Sequence, residues 1–369
     1  MSTVTTTHDR GQPRAASPAA GLRQRKAPDT RVNLSSNELR HPAVLAVLRD
    51  AWAETAPEQA WCYPRNAADI EVIGRHFGLD SGEFQLTPGS DSALRLLCAR
   101  ARHLFPDGPR LLLQSPNYPA WEEAARHHGI PVHRIGPLRG DVGRQVELLV
   151  NAARFAPPSL IAVSVPNGPV GWGMTDDEVH ALERAAYDGG HLLVLDACYQ
   201  AFSGPLRAAL ARRGDHVAVV QTLSKSHGLA GARVALLATS AARLDTLGSA
   251  SLEQAVAGPS LALAKAVLRR EDALTAVWSE VVRMRAEAAR HLTARGLEPL
   301  PSRANFLTVR VGPDVEDVIG RLDAAGYRVR SLHTPGGHLD GCLRFTVTSE
   351  PECREFLAAL DRATGRTAA

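Results

Sequence analysis

The chain has 369 residues, a length that allows one large α/β domain and a smaller domain, each with its own core. Hydrophobic residues make up 44% of the chain and charged residues 22%, which excludes a disordered or a fibrous protein. The net charge of +3 is small and the arginines are dispersed, so no nucleic-acid-binding surface is expected.

Residues 1–28 are rich in Thr, Ala, Pro, Gly and Arg without hydrophobic periodicity, which predicts a flexible N-terminal arm. They lack the apolar core of a signal peptide, and no apolar run approaches the roughly 20 residues that cross a bilayer. The five cysteines are widely spaced and never form a C-x-x-C pair, which excludes a disulfide framework and a zinc knuckle. We therefore predict a soluble, cytoplasmic protein with no membrane partner and no bound metal.

The first predicted site element is the segment LTPGSDSALRLL, in which Gly89, Ser90 and Asp91 stand just before an amphipathic helix. Backbone N–H groups in the first turn of such a helix point at an anion. The segment therefore predicts a phosphate-binding turn.

From about residue 109 onwards, short apolar runs alternate with amphipathic stretches of helical length. The runs are RLLLQS, LIAVSV, HLLVLDA, HVAVVQT and VALLAT. Runs that are apolar on both faces are typical of strands buried between two helical layers. The stretches between them include AWEEAARHHG and TDDEVHALERAAYDGG, and Thr175 is the predicted N-cap of the second. This alternation predicts an α/β fold with a mostly parallel sheet.

A long helical stretch from about residue 250 to 296 precedes a different pattern. The segments ANFLTVRV, YRVRSL and CLRFTVTS, a helix over about 315–325 and a final helix ending near 364 predict a separate small α+β domain. We assign residues 56–269 to the large domain, and residues 29–55 and 270–369 to the small domain.

Polar side chains follow the predicted strands at their carboxyl ends, where parallel sheets collect ligands. In chain order they are Tyr118, Asn167, Asp196, Tyr199, Thr222, Ser224, Lys225 and Arg233. Of the 42 basic residues only Lys26, Lys225 and Lys265 are lysines, so a reaction that needs an amine has few candidates.

These side chains meet the requirements of pyridoxal 5'-phosphate (PLP). An amine forms an imine with the PLP aldehyde and then moves protons on the substrate carbon, which are the roles expected of Lys225. A buried carboxylate, Asp196, keeps the pyridine nitrogen protonated, so that the ring accepts electrons. Asn167 and Tyr199 are expected to donate to the ring 3-hydroxyl group, and Tyr118 to stack on the ring face.

The ordered motifs resemble those of the class I and II aminotransferases of fold type I, and most of all the histidinol-phosphate aminotransferase branch. The similarity extends from about Leu34 to Phe356 and rests on three segments. They are Thr222-Leu-Ser224-Lys225 with Arg233 eight residues beyond the lysine, Pro166-Asn167-Gly168-Pro169-Val170-Gly171 for P-N-x-P-x-G, and Asp196-Ala-Cys-Tyr199 for D-x-x-Y. The resemblance implies a seven-stranded, mostly parallel sheet between helices, and PLP held by Lys225 as a Schiff base.

The resemblance also implies roles for individual residues. Those that bind the PLP phosphate are Thr222, Ser224, Arg233 and, through backbone N–H groups, Ser90 and Asp91. Tyr63, in CYPRN, matches the tyrosine that reaches the phosphate of the neighbouring subunit, so the resemblance implies a homodimer.

On the substrate side, Arg344 matches the arginine that clamps the α-carboxylate. Arg330 matches a second arginine of the histidinol-phosphate branch, and Asn37 begins the N-E motif that closes over the substrate. The family's N-E-N-P-F-G is here Asn37-Glu38-Leu39-Arg40-His41-Pro42, and the second Asn of P-N-N-P-T-G is Gly168. Because this side departs from the family pattern, we expect a substrate other than histidinol phosphate.

Our hypothesis is a PLP-dependent aminotransferase that takes an amino donor and a 2-oxo acid acceptor, in amino-acid metabolism or a specialised biosynthetic pathway. A decarboxylase resembling threonine-phosphate decarboxylase is an alternative, since it shares nearly all these motifs. A PLP-dependent cyclase or oxidase of secondary metabolism is a third possibility, indicated by the altered substrate segments.

Overall fold

The computed structural model describes residues 30–64, 67–136, 144–248 and 254–366. The predicted N-terminal arm, residues 1–28, lies outside the described residues. The strands are β1 (Val32–Asn33), β2 (Phe84–Pro88), β3 (Leu111–Gln114), β4 (Val132–Ile135), β5 (Leu160–Ser164), β6 (Leu192–Asp196), β7 (Val217–Thr222), β8 (Val234–Ala238), β9 (Glu298–Pro299), β10 (Phe306–Arg310), β11 (Tyr327–Arg328), β12 (Arg330–Ser331) and β13 (Cys342–Thr346).

Helices separate most of these strands, and none of those described is long and apolar enough to span a membrane. They are α1 (Pro42–Ala53), α2 (Glu58–Trp61), α3 (Ala67–His76), α4 (Ser90–Leu104), α5 (Ala120–His127), α6 (Gln145–Phe155), α7 (Asp176–Asp188), α8 (Leu206–Leu210), α9 (Leu223–Ser226), α10 (Ala241–Leu247), α11 (Gly258–Leu268), α12 (Glu271–Ala294), α13 (Val315–Ala324) and α14 (Glu350–Thr364).

The central sheet has seven strands in the order β2-β8-β7-β6-β5-β3-β4. Strand β8 runs antiparallel to both neighbours, and the other pairings are parallel. The five apolar runs predicted as strands are confirmed as β3, β5, β6, β7 and β8. The α/β fold with a mostly parallel sheet between helices is therefore confirmed.

Alternate side chains of the central strands belong to two separate apolar clusters, one on each face of the sheet. In β6, Leu193 and Leu195 pack in the larger cluster, whereas Leu192 and Val194 pack in the other. A strand covered by helices on both faces needs apolar side chains at every position. This explains why the runs read as continuous rather than alternating.

Helix α7 begins as its sequence predicts. The Thr175 hydroxyl accepts from the backbone N–H of Glu178, and the Glu178 carboxylate accepts from the N–H of Thr175, forming a capping box. The helical stretch predicted over about 250–296, of which residues 250–253 lie outside the described residues, consists of two helices, since α11 ends at Leu268 and α12 begins at Glu271. The acidic residues Glu271 and Asp272 favour a new helix start there.

Two smaller sheets complete the fold. One has the order β12-β13-β10-β9, and the other pairs β1 with β11 in parallel. The β1–β11 pairing brings the chain before α1 against the C-terminal part of the protein, where Val32 is the register partner of Tyr327. This agrees with the assignment of residues 29–55 to the small domain, although the domain boundaries stay a prediction.

Candidate active site

The carboxyl ends of three neighbouring parallel strands bring the first site residues together. In the register of the sheet, Ser164 at the end of β5 pairs with Asp196 at the end of β6, and Asp196 pairs with Val220 of β7. Thr222 ends β7 two residues later and caps the short helix α9, which carries Lys225. Thus the apolar runs place a carboxylate and an amine at the same edge of the sheet.

Lys225 presents its amine to a backbone carbonyl rather than to a carboxylate. Its Nζ donates to the carbonyl oxygen of Ser36 at 2.7 Å, and it forms no salt bridge within the described residues. Burial lowers the pKa of the Lys225 amine, and Arg344 adds to this effect, against opposing contributions from Cys198, Glu38 and Asp91. A lower pKa increases the fraction of neutral amine, which is the nucleophilic form.

Asp196 is a buried carboxylate with few donors. Its Oδ1 accepts from the backbone N–H of Cys198 at 3.2 Å, and its Oδ2 lies 3.5 Å from the hydroxyl oxygen of Ser164. Burial raises the pKa of the Asp196 carboxyl group, and no arginine or lysine within the described residues forms a salt bridge with it. The ionised form of Asp196 therefore needs a cationic partner.

The turn predicted to bind the phosphate lies where β2 ends beside the start of β8. The antiparallel register pairs Pro88 with Val234, which brings Gly89 beside Arg233. Gly89 has φ 81° and caps α4, whose first two residues, Ser90 and Asp91, have backbone N–H groups with no acceptor inside the helix. The Arg233 guanidinium donates to the Asp91 carboxylate at 3.1 Å. The predicted phosphate-binding residues of these two segments are therefore adjacent.

Thr222 and Ser224 add hydroxyl groups at the start of α9. The Thr222 hydroxyl accepts from the backbone N–H of Ser224 at 3.2 Å and lies 3.0 Å from the Ser224 hydroxyl oxygen. Both residues are buried. Their spacing within one cap keeps the two hydroxyl groups together, as the T-L-S-K motif predicts.

Tyr199 is held by a residue from far away in the chain. Its hydroxyl oxygen accepts from Nδ2 of Asn37 at 2.9 Å, and its ring meets the Phe306 ring edge-on with centroids 5.1 Å apart. Asn37 is buried and has φ 56°, a left-handed conformation that asparagine tolerates. Burial raises the pKa of Tyr199 to about 12, so its hydroxyl keeps the proton that it can donate.

Asn167 already uses both protons of its side-chain amide. Its Nδ2 donates to Oε1 of Gln114 at 2.9 Å and to the carbonyl oxygen of Pro116 at 3.0 Å, and its Oδ1 accepts from the N–H of Val170 at 3.2 Å. These bonds hold the turn after β5. Donation from Asn167 to a ring oxygen stays a prediction, and it requires one of the two present acceptors to be given up.

Tyr118 lies at the mouth of the same site, with 44% of its surface exposed. Burial and then the nearby carboxylate of Asp91, which also accepts a hydrogen bond from the phenol, raise the pKa of Tyr118 to about 12. Tyr199 and Asp196 contribute smaller effects of the same sign. Tyr118 is therefore close to both the anion-binding turn and the carboxylate, as a stacking residue must be.

Arg344 and Arg330 face each other across the β12–β13 pair. Nη2 of Arg344 donates to the carbonyl oxygen of Ser35 at 2.7 Å, and its guanidinium lies 5.1 Å from the centroid of the Phe306 ring. Burial lowers the pKa of Arg344, Arg330 lowers it further, and Nε of Arg344 is buried without an acceptor. Within the described residues Arg344 therefore has no anionic partner, and Arg330 is exposed.

Tyr63 is highly exposed, unlike most of the other predicted site residues. It follows α2 and is 81% exposed, and its neighbour Trp61 is 84% exposed. An aromatic ring this exposed is available to another molecule. Its approach to a neighbouring subunit stays a prediction.

Several residues of this site were not predicted. Ser35 and Ser36 act through backbone carbonyls, which leave no signal in the side-chain pattern. Ser164 was readable in principle, because it is a polar residue at the carboxyl end of an apolar run. Asn117 precedes Tyr118 and accepts a hydrogen bond from the Ser164 hydroxyl at 2.6 Å.

Comparisons with known proteins agree with the predicted family and fold. Residues 29–360 match the family described as aminotransferase class I and II. The chain is 33% identical over 275 residues to the histidinol-phosphate aminotransferase of Chromobacterium violaceum, covering 74% of this chain and 75% of that protein. Among solved structures, it is similar to the histidinol-phosphate aminotransferase of Sinorhizobium meliloti in complex with pyridoxal-5'-phosphate, with a TM-score of 0.75, 25% identity and 92% of each chain covered.

The fold is also similar to that of an enzyme with a different reaction. The L-threonine-O-3-phosphate decarboxylase of Porphyromonas gingivalis matches with a TM-score of 0.73 and 20% identity, covering 90% of this chain and 98% of that one. At this identity the likeness concerns the fold alone. The reaction must therefore be argued from the side chains of the site.

Proposed function

The chain belongs to the class I and II aminotransferase family, and we propose that it is a PLP-dependent enzyme that transfers an amino group between an amino acid, or a similar amine, and a 2-oxo acid. The observation that carries this proposal is that, among the described residues, the site holds a partly buried amine with no carboxylate partner and a buried carboxylate with no cationic partner. The amine is Lys225 and the carboxylate is Asp196. PLP has a group for each of them: its aldehyde reacts with the amine, and its protonated ring nitrogen pairs with the carboxylate.

The residues present fit PLP at three points. The raised pKa of Asp196 reports a buried carboxylate without a cation, and a protonated pyridine nitrogen supplies one. The first turn of α4, with Gly89 and Arg233, suits a phosphate group. Lys225 is available to the aldehyde because its only hydrogen-bond acceptor among the described residues is the Ser36 carbonyl.

When bound, PLP supplies an aldehyde that condenses with amines and a ring that accepts electrons from the reacting carbon. Lys225 would then act as the general base that takes the proton from the substrate Cα and later gives a proton back as a general acid. Tyr199, which Asn37 holds in place, would donate its proton to the ring oxygen. Asp196 would stabilise a positive charge on the ring nitrogen.

Arg344 orients the substrate by its α-carboxylate. The guanidinium has one proton-bearing nitrogen, Nε, that is buried without an acceptor, and a carboxylate would satisfy it. Arg330 stands opposite in the register and gives the site a second positive charge. We infer that the substrate has at least one carboxylate near its amino group and that a second anionic group is compatible with this side.

A homodimer and a cytoplasmic location belong to the proposal. The exposure of Trp61 and Tyr63 on neighbouring positions supports a contact between subunits through this segment. In such a dimer, Tyr63 of one subunit would donate to the phosphate bound by the other. The free cysteines of the chain suit a reducing compartment.

A screen of half-reactions tests the proposed function. The purified protein is loaded with PLP and mixed with single amino acids and amino phosphates, and the absorption of the cofactor is followed. Conversion to the pyridoxamine form, with release of a 2-oxo acid, is the expected result. Release of carbon dioxide with no 2-oxo acid requirement would contradict transamination and favour a decarboxylase, and oxygen consumption would favour an oxidase.

A further inference from the structure

Three polar side chains, those of Asn117, Ser164 and Asp196, lie in a row that ends at the Asp196 carboxylate. The hydroxyl oxygen of Ser164 lies 2.6 Å from Oδ1 of Asn117 and 3.5 Å from Oδ2 of Asp196. Ser164 is buried at the end of β5, and Asn117 lies in the segment after β3. None of the motifs that indicate a PLP enzyme includes Asn117 or Ser164.

The orientation of the Asn117 amide follows from its second contact. Its Oδ1 also lies 2.7 Å from the backbone nitrogen of Tyr118, which is a donor and cannot face the NH₂ group. The atom that faces Ser164 is therefore an oxygen without a proton. Ser164 must donate its hydroxyl proton to Asn117.

A serine hydroxyl has only one proton to give. At 2.6 Å the bond to Asn117 is short, whereas 3.5 Å to Asp196 is beyond the normal range for an O–H···O bond. The proton is thus committed to Asn117, and among the described residues no donor lies within the usual hydrogen-bond distance of Oδ2 of Asp196. The N–H of Cys198 serves the other carboxylate oxygen, Oδ1.

We propose that Asn117 is a positioning residue that holds the Ser164 proton away from Asp196, so that Oδ2 of Asp196 remains free for the protonated ring nitrogen of PLP. This inference rests on the proposed function, since it concerns the same carboxylate. Without Asn117, the Ser164 hydroxyl can rotate and donate to Oδ2. The carboxylate would then have a competing donor where the ring nitrogen binds.

A double-mutant cycle separates this role from simple packing. The four proteins are the wild type, Asn117→Ala, Ser164→Ala and the double variant, and the dissociation constant for PLP is measured by equilibrium dialysis. We expect about tenfold weaker PLP binding in Asn117→Ala, equivalent to about 1.4 kcal/mol. Ser164→Ala should stay within about twofold of the wild type, because its proton already goes to Asn117. The double variant should bind as Ser164→Ala does.

A second readout does not need the cofactor. The carboxyl group of Asp196 is titrated by NMR in the cofactor-free protein, with Asp196→Asn used to assign its signal. Asn117→Ala should lower the pKa of Asp196 only while Ser164 is present, because the freed hydroxyl then stabilises the carboxylate.

Two results would overturn the inference. The first is a loss of PLP affinity in Asn117→Ala that persists in full when Ser164 is also replaced, which is what a merely structural role produces. The second is a large loss in Ser164→Ala alone, which would mean that Ser164 supports Asp196 directly. If the wild type binds no PLP but the carboxyl titration behaves as expected, the proposed function fails, and only the control of the Ser164 proton by Asn117 stands.

Discussion

The amine of Lys225 donates to the carbonyl oxygen of Ser36, and the neighbouring carbonyl, that of Ser35, accepts from the guanidinium of Arg344, each at 2.7 Å. Two adjacent peptide groups therefore hold the predicted cofactor lysine and the predicted carboxylate clamp. Among the described residues neither side chain has an anionic partner. Binding of PLP and substrate would replace two neutral acceptors with charged or covalent partners.

Replacement of Lys225 by alanine removes the proposed base and attachment point. We expect the rate of the amino-acid half-reaction to fall by about a thousandfold or more, because general acid–base catalysis alone contributes about 10²–10⁴. Stopped-flow absorption of the bound cofactor measures this rate. Lys265→Ala is the matched control, since Lys265 forms an ion pair with Asp69 and should leave the rate nearly unchanged. An unaltered imine absorption in Lys225→Ala would refute the assignment.

Arg344→Lys tests the carboxylate clamp with the charge retained. A lysine cannot reproduce the planar two-point contact of a guanidinium, and one charge-assisted hydrogen bond contributes about 1.5–3 kcal/mol. We therefore expect kcat/KM for carboxylate-bearing amino donors to fall about 10- to 100-fold. The control is an amine that lacks the carboxylate, whose already low kcat/KM should not change. An equal loss for both donors would place Arg344 outside the substrate site.

Gly89→Ala tests the anion-binding turn. A Cβ on Gly89 would lie 2.3 Å from Nη2 of Arg233, and the backbone there has φ 81°. The variant must move Arg233 and also adopt a left-handed conformation that costs about 1–2 kcal/mol. We expect about tenfold weaker PLP binding, as measured by dialysis.

Gly320→Ala is the control for that substitution. Gly320 lies in α13, and a Cβ there would meet no atom within 4 Å. Alanine in a helix interior is favoured over glycine by about 1 kcal/mol, so this variant should be slightly more stable and bind PLP normally. Equal PLP affinity in both variants would contradict the role of the Gly89 turn.

Asp196 makes the stability of the cofactor-free protein depend on pH. Burial raises the pKa of its carboxyl group in the folded state, so folding binds a proton that the unfolded chain releases more readily. The destabilisation caused by burying the ionised carboxylate is absent below the pKa of Asp196 in the unfolded chain, near 3.9. It develops as the pH rises through the pKa of Asp196 in the folded protein. Asp196→Asn should therefore have nearly the wild-type unfolding free energy at pH 4 and a higher one at neutral pH.

Urea unfolding of the cofactor-free proteins at both pH values measures this difference. The same variant should bind PLP more weakly, because a neutral amide cannot stabilise a protonated ring nitrogen. Wild-type and variant curves that differ by the same amount at pH 4 and pH 7 would show that Asp196 does not carry the buried charge.

The sequence predicted the structure best for the buried strands, because burial on both faces requires continuous runs of apolar residues. The five apolar runs became strands because both faces of the sheet are covered, and the polar residues at their ends became neighbours because parallel strands share one carboxyl edge. Strands β2 and β4 were not predicted. The apolar pattern of β2 is interrupted by Thr87 and Pro88. The second strand, VHRI, has exposed central residues.

The pattern of apolar residues could not predict the direction of a strand or the hydrogen-bond partners of a side chain. Strand β8, VALLA, is as apolar as the parallel strands of the sheet, so its sequence does not show that it runs antiparallel. Asn167 was expected to donate to a ring oxygen, but its amide is bonded to Gln114 and Pro116, which come from another strand end. Such partners depend on the tertiary structure rather than on local spacing.

The position of β8 has a consequence for how the protein is made. Strand β8 is the last of the seven in the chain, yet it lies between β7 and β2, and β2 has no other partner in that sheet. A chain whose synthesis has not yet reached Ala238 therefore cannot pair β2 with a complete β8 or bring Gly89 next to Arg233. Because this pairing closes a long loop, it is entropically costly, and we expect it to form late in folding. Binding of the phosphate group would therefore stabilise only chains whose central sheet is complete.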